Sequence, residues 1–220
     1  MREHRAMSGQ KRVILALTGA SGALYFLRTL RALVAGGHTV ELVLSKYGLV
    51  TLREETAFGE SSAAFVEWFG KAHSLAMDRV EVHGHLDQAA PIASGSGKVD
   101  GMIVTPCSMK TLAGIAHGSA SNLIERAADV VLKERRRLVL VPREAPYSLI
   151  HLRNMVAVTE AGGIIVPASP AFYGKPKSFD DLGDFIAARA LQLLDIDSGL
   201  VAPWDGLSEL TTAGSSRGGS

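Results

Sequence analysis

Residues 12–44 read RVILALTGASGALYFLRTLRALVAGGHTVELVL, and their pattern decides the architecture. Arg12–Leu17 is a short apolar run of strand type that ends in Thr18-Gly19-Ala20-Ser21-Gly22. After that loop Leu24, Leu27, Leu30 and Leu33 recur at helical spacing until Gly36 and Gly37 stop the helix. Thr39–Leu44 is then a second strand. The same alternation continues outward. Ser45 opens a short helix to about residue 55, 63–77 carries helical spacing, and 79–82 alternates like a strand. A further strand is expected at 101–105, then a turn at Pro106-Cys107-Ser108 and a helix that stops near Gly118. Asn122 caps the next helix, 138–141 is a buried strand, 148–161 a helix and 163–166 another strand. Ser178-Phe179-Asp180-Asp181 is a capping box before the last helix. Strands alternating with helices imply an α/β protein: one doubly wound, mainly parallel Rossmann/flavodoxin-like sheet with helices on both faces. The expected domain spans 12–204, with flexible tails at 1–11 and 206–220.

The 220 residues are enough for one such domain with a continuous core. A net charge of +1 does not indicate a broad polyanion-binding surface, so no nucleic-acid partner is expected. No apolar run reaches the length of a membrane span. The single cysteine, Cys107, excludes an internal disulfide and a cysteine-cluster metal site, which fits a cytoplasmic location. The basic N-terminus is followed by VILALTG, too short for a signal-peptide core.

In a doubly wound sheet ligands bind beyond the carboxyl ends of the strands. The unusual loops, 18–22, 45–46, 106–111 and 142–147, all leave strand ends, which places the site there. Gly19 and Gly22 allow close backbone approach, and the helix start beyond them offers N–H groups to an anion. The third glycine of a dinucleotide fingerprint is missing, Tyr25 standing in its place, and no Walker pattern is present. This loop alone reads equally as a tight turn or a ligand loop. Ser108-Met109-Lys110-Thr111 is a second helix entrance with two hydroxyls, able to cradle a phosphate or simply to cap a helix. Pro142-Arg143-Glu144-Ala145-Pro146 carries a charged pair out of a buried strand between two prolines that stiffen it. His83 and His85 sit on one strand face without an evident third ligand, so no metal is expected.

With these loops in place, the chain resembles the UbiX flavin prenyltransferases over roughly residues 12–204. The stretches that carry the likeness are TGASGA (18–23), LSK (44–46), ASGS (93–96), PCSMKTLAGIAHG (106–118), NLIERAADVVLKERRRLVLVPREAP (122–146), HLRNM (151–155) and PAFYGKP (170–176). Phosphopantothenoylcysteine and peptidyl-cysteine decarboxylases are similar around 106–125. They differ in having Ser-Ala-Asn-Thr where this chain has Ser-Met-Lys-Thr, and Pro-x-Met-Asn where it has Pro-Arg-Glu-Ala-Pro. The alternatives are therefore an FMN-dependent cysteine decarboxylase or a non-catalytic flavin carrier.

The resemblance implies FMN contacts at Gly19, Ala20 and Ser21, at Ser45, along Ser108, Met109, Lys110 and Thr111, and at Arg143. It implies that Tyr173 and Arg189 meet dimethylallyl phosphate, with Arg126, Lys133 and Glu144 close by and Glu55 in the same polar cluster. Trp204 resembles an aromatic that covers the prenyl group, whereas Gln88 stands in a region where some relatives have Trp. Breaking the allylic C–O bond develops an allyl cation and free phosphate. Cationic side chains can hold the phosphate and an aromatic face the cation. Reduced FMN is then alkylated at N5 and C6. Glu144 is the candidate for proton exchange, Ser21 for a relay near N5, and Glu55 and Lys133 complete the catalytic set. The family further implies a homo-oligomer, a dodecamer, with the site shared between subunits, and a UbiD-type decarboxylase as recipient of the prenylated FMN.

Overall fold

The computed structural model describes residues 9–59 and 61–202. Six strands form one sheet: β1 (Arg12–Leu17), β2 (Thr39–Leu44), β3 (Val80–His83), β4 (Gly101–Cys107), β5 (Arg137–Pro142) and β6 (Ile164–Ile165). Their order is β3-β2-β1-β4-β5-β6, and every neighbouring pair is parallel. The chain builds outward from β1 to β3 and then crosses back to lay β4 on the other side of β1. The order therefore reverses between β1 and β4, the position at which doubly wound sheets hold ligands.

Two apolar layers follow from the period-two alternation of the strands. Leu15, Leu17, Leu42 and Leu44 face a core completed by Phe26 and Leu30 of α1 (Ala23–Ala35). Phe65 and Phe69 of α3 (Phe65–His73) and Ile186 and Ala190 of α7 (Phe179–Gln192) close the same core. Ile14, Ala16, Met102 and Val104 face the other way. There they meet Leu112 of α4 (Met109–Ala116), Ala127 and Val131 of α5 (Leu123–Lys133) and Val158 of α6 (Leu149–Glu160). The remaining helix, α2 (Lys46–Glu55), lies over the carboxyl end of β1. The doubly wound sheet with helices on both faces is as the strand–helix alternation implied.

Two local expectations are corrected. Pro106-Cys107 is not a turn: β4 runs on through Cys107, which pairs with Pro142 after an irregularity that begins at Val104. Pro106 has no N–H to give the ladder, so pairing lapses there and resumes one residue later. The helix expected over 63–77 is a short 3-10 turn followed by α3, and it ends at Ser74 in the left-handed region at φ 54°. Leu75 then donates its N–H to the Gly70 carbonyl (3.0 Å), and Met77 folds back over Gly70, where no side chain would fit.

One ion-pair network is buried in the sheet. Glu41 on β2 bonds to His83 on β3 and accepts from Arg12 Nε at 2.6 Å. Glu81 lies with them, the ligand atoms of Glu41, Glu81 and His83 falling within 4.8 Å of one another. The Arg12 guanidinium already balances the Glu41 charge, so the cluster is an ion-pair network in its own right. Burial works against ionised Glu41, but the hydrogen bonds from His83 and Arg12 outweigh it and hold its pKa below the usual carboxylate value. The bond to Glu41 raises His83 above its ordinary value against burial, with Glu81 and Asp87 adding to the effect. The His83 contribution is fully present below about pH 6.5 and is lost as pH rises through the raised folded value. The Glu41 contribution is present above about pH 4.5 and is lost as pH falls through the lowered one. A His83→Gln variant should therefore show its greatest loss of Tm between about pH 4.5 and 6.5, each kcal/mol reading as roughly 2–4 °C, with the gap to wild type closing in alkali. A gap independent of pH would refute the pairing.

Candidate active site

The loops at the carboxyl ends of β1 and β4 are tied together. Thr18 Oγ1 donates to the Pro106 carbonyl (2.8 Å) and accepts from the Ser108 N–H (2.7 Å). A Cβ at Gly19 would collide with Tyr47 at the start of α2, so only glycine lets the loop lie there. Gly22 holds φ +116°, and the Tyr25 ring stands 2.7 Å from where its Cβ would be. Ser45 caps α2 by accepting from the Gly48 N–H (2.9 Å). Ser108 caps α4, accepting from the Thr111 N–H (3.3 Å) and donating to Thr111 Oγ1 (3.1 Å).

The two helix entrances turn out unlike. At α1 the N–H groups of Gly22 and Ala23 already donate to the Glu55 carboxylate, at 2.9 and 2.7 Å. Gly22 has no side chain to cap the helix, and Glu55 at the end of α2 takes that role. These donors are thus not open to a ligand, contrary to the reading from sequence. At α4 the Ser108 N–H goes to Thr18 and that of Thr111 to Ser108, which leaves Met109 and Lys110 as first-turn donors. The Lys110 ammonium lies 3.5 Å from Glu125 Oε1. Glu125, with only 2 % of its side chain exposed, also accepts from the Ser121 N–H (2.9 Å) and hydroxyl (2.6 Å). Burial pushes the Glu125 carboxyl up, and the bonds from Ser121 and Asn122 with the charge of Lys110 bring it below its ordinary value.

Arg143 reaches over from β5, its Nε donating to the Ser21 carbonyl (3.0 Å). It is not paired with Glu144, whose exposed carboxylate accepts only from the Ala145 N–H (3.0 Å) among the described residues. Tyr25, packed beside these groups, has its phenol raised by burial, against the opposing pull of Arg143. Cys107 is fully buried and pushed up to about 12, so it stays a thiol and packs rather than reacts.

The other predicted residues lie elsewhere in the chain. Arg126 Nε donates to the Ala93 carbonyl (3.1 Å) and pairs with Asp129 (2.8 Å). Lys133 pairs with Glu134 (2.5 Å) just before β5 begins, so it stands at the amino end of the sheet. The length of β5, about 20 Å for six residues, separates the level of Lys133 from the carboxyl edge of the sheet. Arg189 lies on the opposite face, bonded to Gln192 (2.7 Å). It lines a cavity of about 330 Å³ with Ile164, Val166 and Phe185, and Tyr173 meets Phe185 edge-on at 6.2 Å. Trp204 lies outside the described residues. One chain thus brings together Gly19–Ser21, Ser45, Glu55, Ser108–Thr111, Arg143 and Glu144, whereas Arg126 and Lys133 lie on α5 and Tyr173 and Arg189 lie around Phe185, outside this group. Thr18, Tyr25 and Glu125 were not singled out from sequence. Only the hydroxyl at the strand end hinted at Thr18, since its partners lie some ninety residues away.

The family model described as Flavoprotein matches residues 1–191. The flavin prenyltransferase UbiX of Pseudomonas aeruginosa is 46% identical over 200 residues, covering 90% of this chain and 96% of that one. The chain belongs to the UbiX flavin prenyltransferase family. Among solved structures, a UbiX in complex with FMN and dimethylallyl pyrophosphate superposes with a TM-score of 0.80 at 46% identity, over 90% of this chain and 98% of that one. A dodecameric FMN-dependent UbiX-like decarboxylase from Escherichia coli gives 0.78 at 43% identity, over 89% and 100%.

For a member of the UbiX family the crevice can be tested against the flavin it would hold. Gly19 admits no side chain because Tyr47 already fills that space, so the glycine serves to seat the loop against α2. The hydroxyls of Ser45, Ser108 and Thr111, two first-turn N–H groups and the Arg143 guanidinium suit a phosphate and a hydrogen-bonding ring. The donor set fits FMN.

Proposed function

We propose that the protein is a flavin prenyltransferase that moves a dimethylallyl group from dimethylallyl phosphate to N5 and C6 of reduced FMN. Membership of the UbiX family, at 46% identity over nearly the full length of both chains, carries this reading. FMN is held by Gly19, Ala20 and Ser21, Ser45, Ser108–Thr111 and Arg143, and when reduced it supplies the nucleophilic atoms. Lys110 contributes its N–H, since its ammonium faces Glu125. Glu55 acts by fixing the start of α1 and thereby Ser21. Glu144, on the open rim beside Arg143, exchanges the proton, and Ser21 relays it. Arg126, Lys133 and Arg189 hold the departing phosphate, Tyr173 donates to it, and Trp204 faces the allylic cation.

These phosphate-binding residues lie on both faces and at both ends of one sheet, so a complete site needs more than one subunit. A homododecamer supplies it in this reading. Tyr147, Leu149, Ile150, Leu152 and Val156 on and before α6, with Phe172 and Phe179, are exposed apolar side chains of the kind that subunit contacts cover. The protein works in the cytoplasm and hands prenylated FMN to a UbiD-type decarboxylase. No helix among the described residues is long and apolar enough to cross a membrane.

The deciding experiment is anaerobic incubation with reduced FMN and dimethylallyl phosphate, followed by a mass spectrum of the extracted flavin. A flavin heavier by one five-carbon prenyl unit supports the reading, and unchanged FMN refutes it. The diphosphate run in parallel settles the donor. One FMN should bind per chain with or without a chelator. Arg143→Ala should weaken FMN by about 10–100-fold, the worth of a charge-assisted hydrogen bond of roughly 1.5–3 kcal/mol. Equilibrium dialysis checks both, and unaltered affinity in the variant would remove Arg143 from the flavin site.

A further inference from the structure

We infer that Thr18 is a positioning residue that sets the width of the flavin cradle by tying the exit of β1 to the entrance of α4. The parallel ladder between β1 and β4 ends at the pair Ala16–Val104, short of both loops. Pro106 has no N–H with which to extend it. Two strands that part at this point would splay where the sheet reverses its order, which is where the ligand crevice opens. The Thr18 hydroxyl replaces the missing ladder bonds. Only 1 % exposed, it donates to the Pro106 carbonyl at 2.8 Å and accepts from the Ser108 N–H at 2.7 Å. Among the described residues no other side chain bonds these two loops to each other. The second bond also fixes the N-cap residue of α4, and with it the two N–H groups left for the ligand. A hydroxyl is required because one atom must donate and accept at once. Valine has the same shape and does neither.

The inference rests on the reading that FMN occupies this crevice, and the test separates the two. If the wild-type protein does not bind FMN, the functional reading fails whatever Thr18 does. If it binds, Thr18→Val should raise the FMN Kd by about tenfold or more, as expected when a buried donor and acceptor lose their partner. Turnover at saturating FMN should stay within about twofold of wild type, because Thr18 acts through binding geometry. Thr18→Ser keeps both bonds and should restore affinity. Phe69→Leu, on the core face of α3 and outside both loops, provides a variant of lowered Tm in which FMN affinity should not change. Wild-type affinity in Thr18→Val, equal loss in Thr18→Ser, or equal loss in Phe69→Leu would each overturn the inference. Amide exchange at Ser108 in the unmutated protein tests it independently of how Thr18→Val folds. Protection comparable to that of β4 is expected, and exchange at the rate of an open loop would overturn it.

Discussion

Glu144→Gln should lower turnover by about two to four orders of magnitude while the protein still purifies with its flavin, the usual worth of a positioned general acid–base. The carboxylate sits on an exposed rim and accepts one bond, from the Ala145 N–H at 3.0 Å, which the glutamine carbonyl can take over. The neighbouring Arg143 is committed to the Ser21 carbonyl and does not neutralise it. The substitution therefore removes a transferable proton and little else. Steady-state rates with dimethylallyl phosphate, together with the flavin content of the purified variant, check both halves. Normal turnover would end the proton-transfer role. Loss of flavin would make the 142–146 loop structural and favour a carrier. Arg189→Ala should behave differently, lowering kcat/KM more than kcat, because a phosphate contact is made in the bound donor as well as in the transition state.

Lys133→Ala and Glu144→Gln should each be nearly inactive alone, yet co-assembled they should regain activity. In one chain Lys133 stands at the amino end of β5 and Glu144 just beyond its carboxyl end, so they cannot hold one phosphate together. If a site draws Lys133 from one subunit and Glu144 from another, random mixed oligomers contain sites with both residues intact. Roughly a quarter of wild-type activity is then expected from equal mixing of subunits around symmetric interfaces. Co-expression with two different tags, tandem purification and an activity assay measure it. Mixed oligomers as inactive as either parent would show that the residues do not meet across subunits, and a monomer by light scattering would remove the shared site altogether.

The elements legible in the sequence were those written in local chemistry. Ser45, Ser108, Asn122 and Ser178 each cap the helix that follows them, and the Ser178 box closes with Asp181 as read. The glycines around Ser21 and the charged exit of β5 marked the carboxyl edge, and the chain does bring them together there. Less legible were features whose partners are distant. Resemblance places Glu55 in the polar cluster, and its bonds to the start of α1, thirty-odd residues away, are not readable beside that. Arg143 and Glu144 stood out as a charged pair leaving β5, but nothing local showed that a backbone carbonyl from another loop takes the guanidinium.

By itself the sequence determined that this is an alternating strand–helix chain, where most of its helices begin, and which loops carry the polar groups. Apolar periodicity, capping and turn residues act within a few positions of one another, and they survive without any knowledge of topology. Only the tertiary structure decided that the sheet reverses between β1 and β4 and that Thr18 bridges the gap left by Pro106. It also decided that Lys133 and Arg189 face away from each other across the sheet. Those outcomes depend on strand order and on which face each helix covers. They are set by burying both apolar faces of the sheet at once, a condition on the whole chain that no local stretch records.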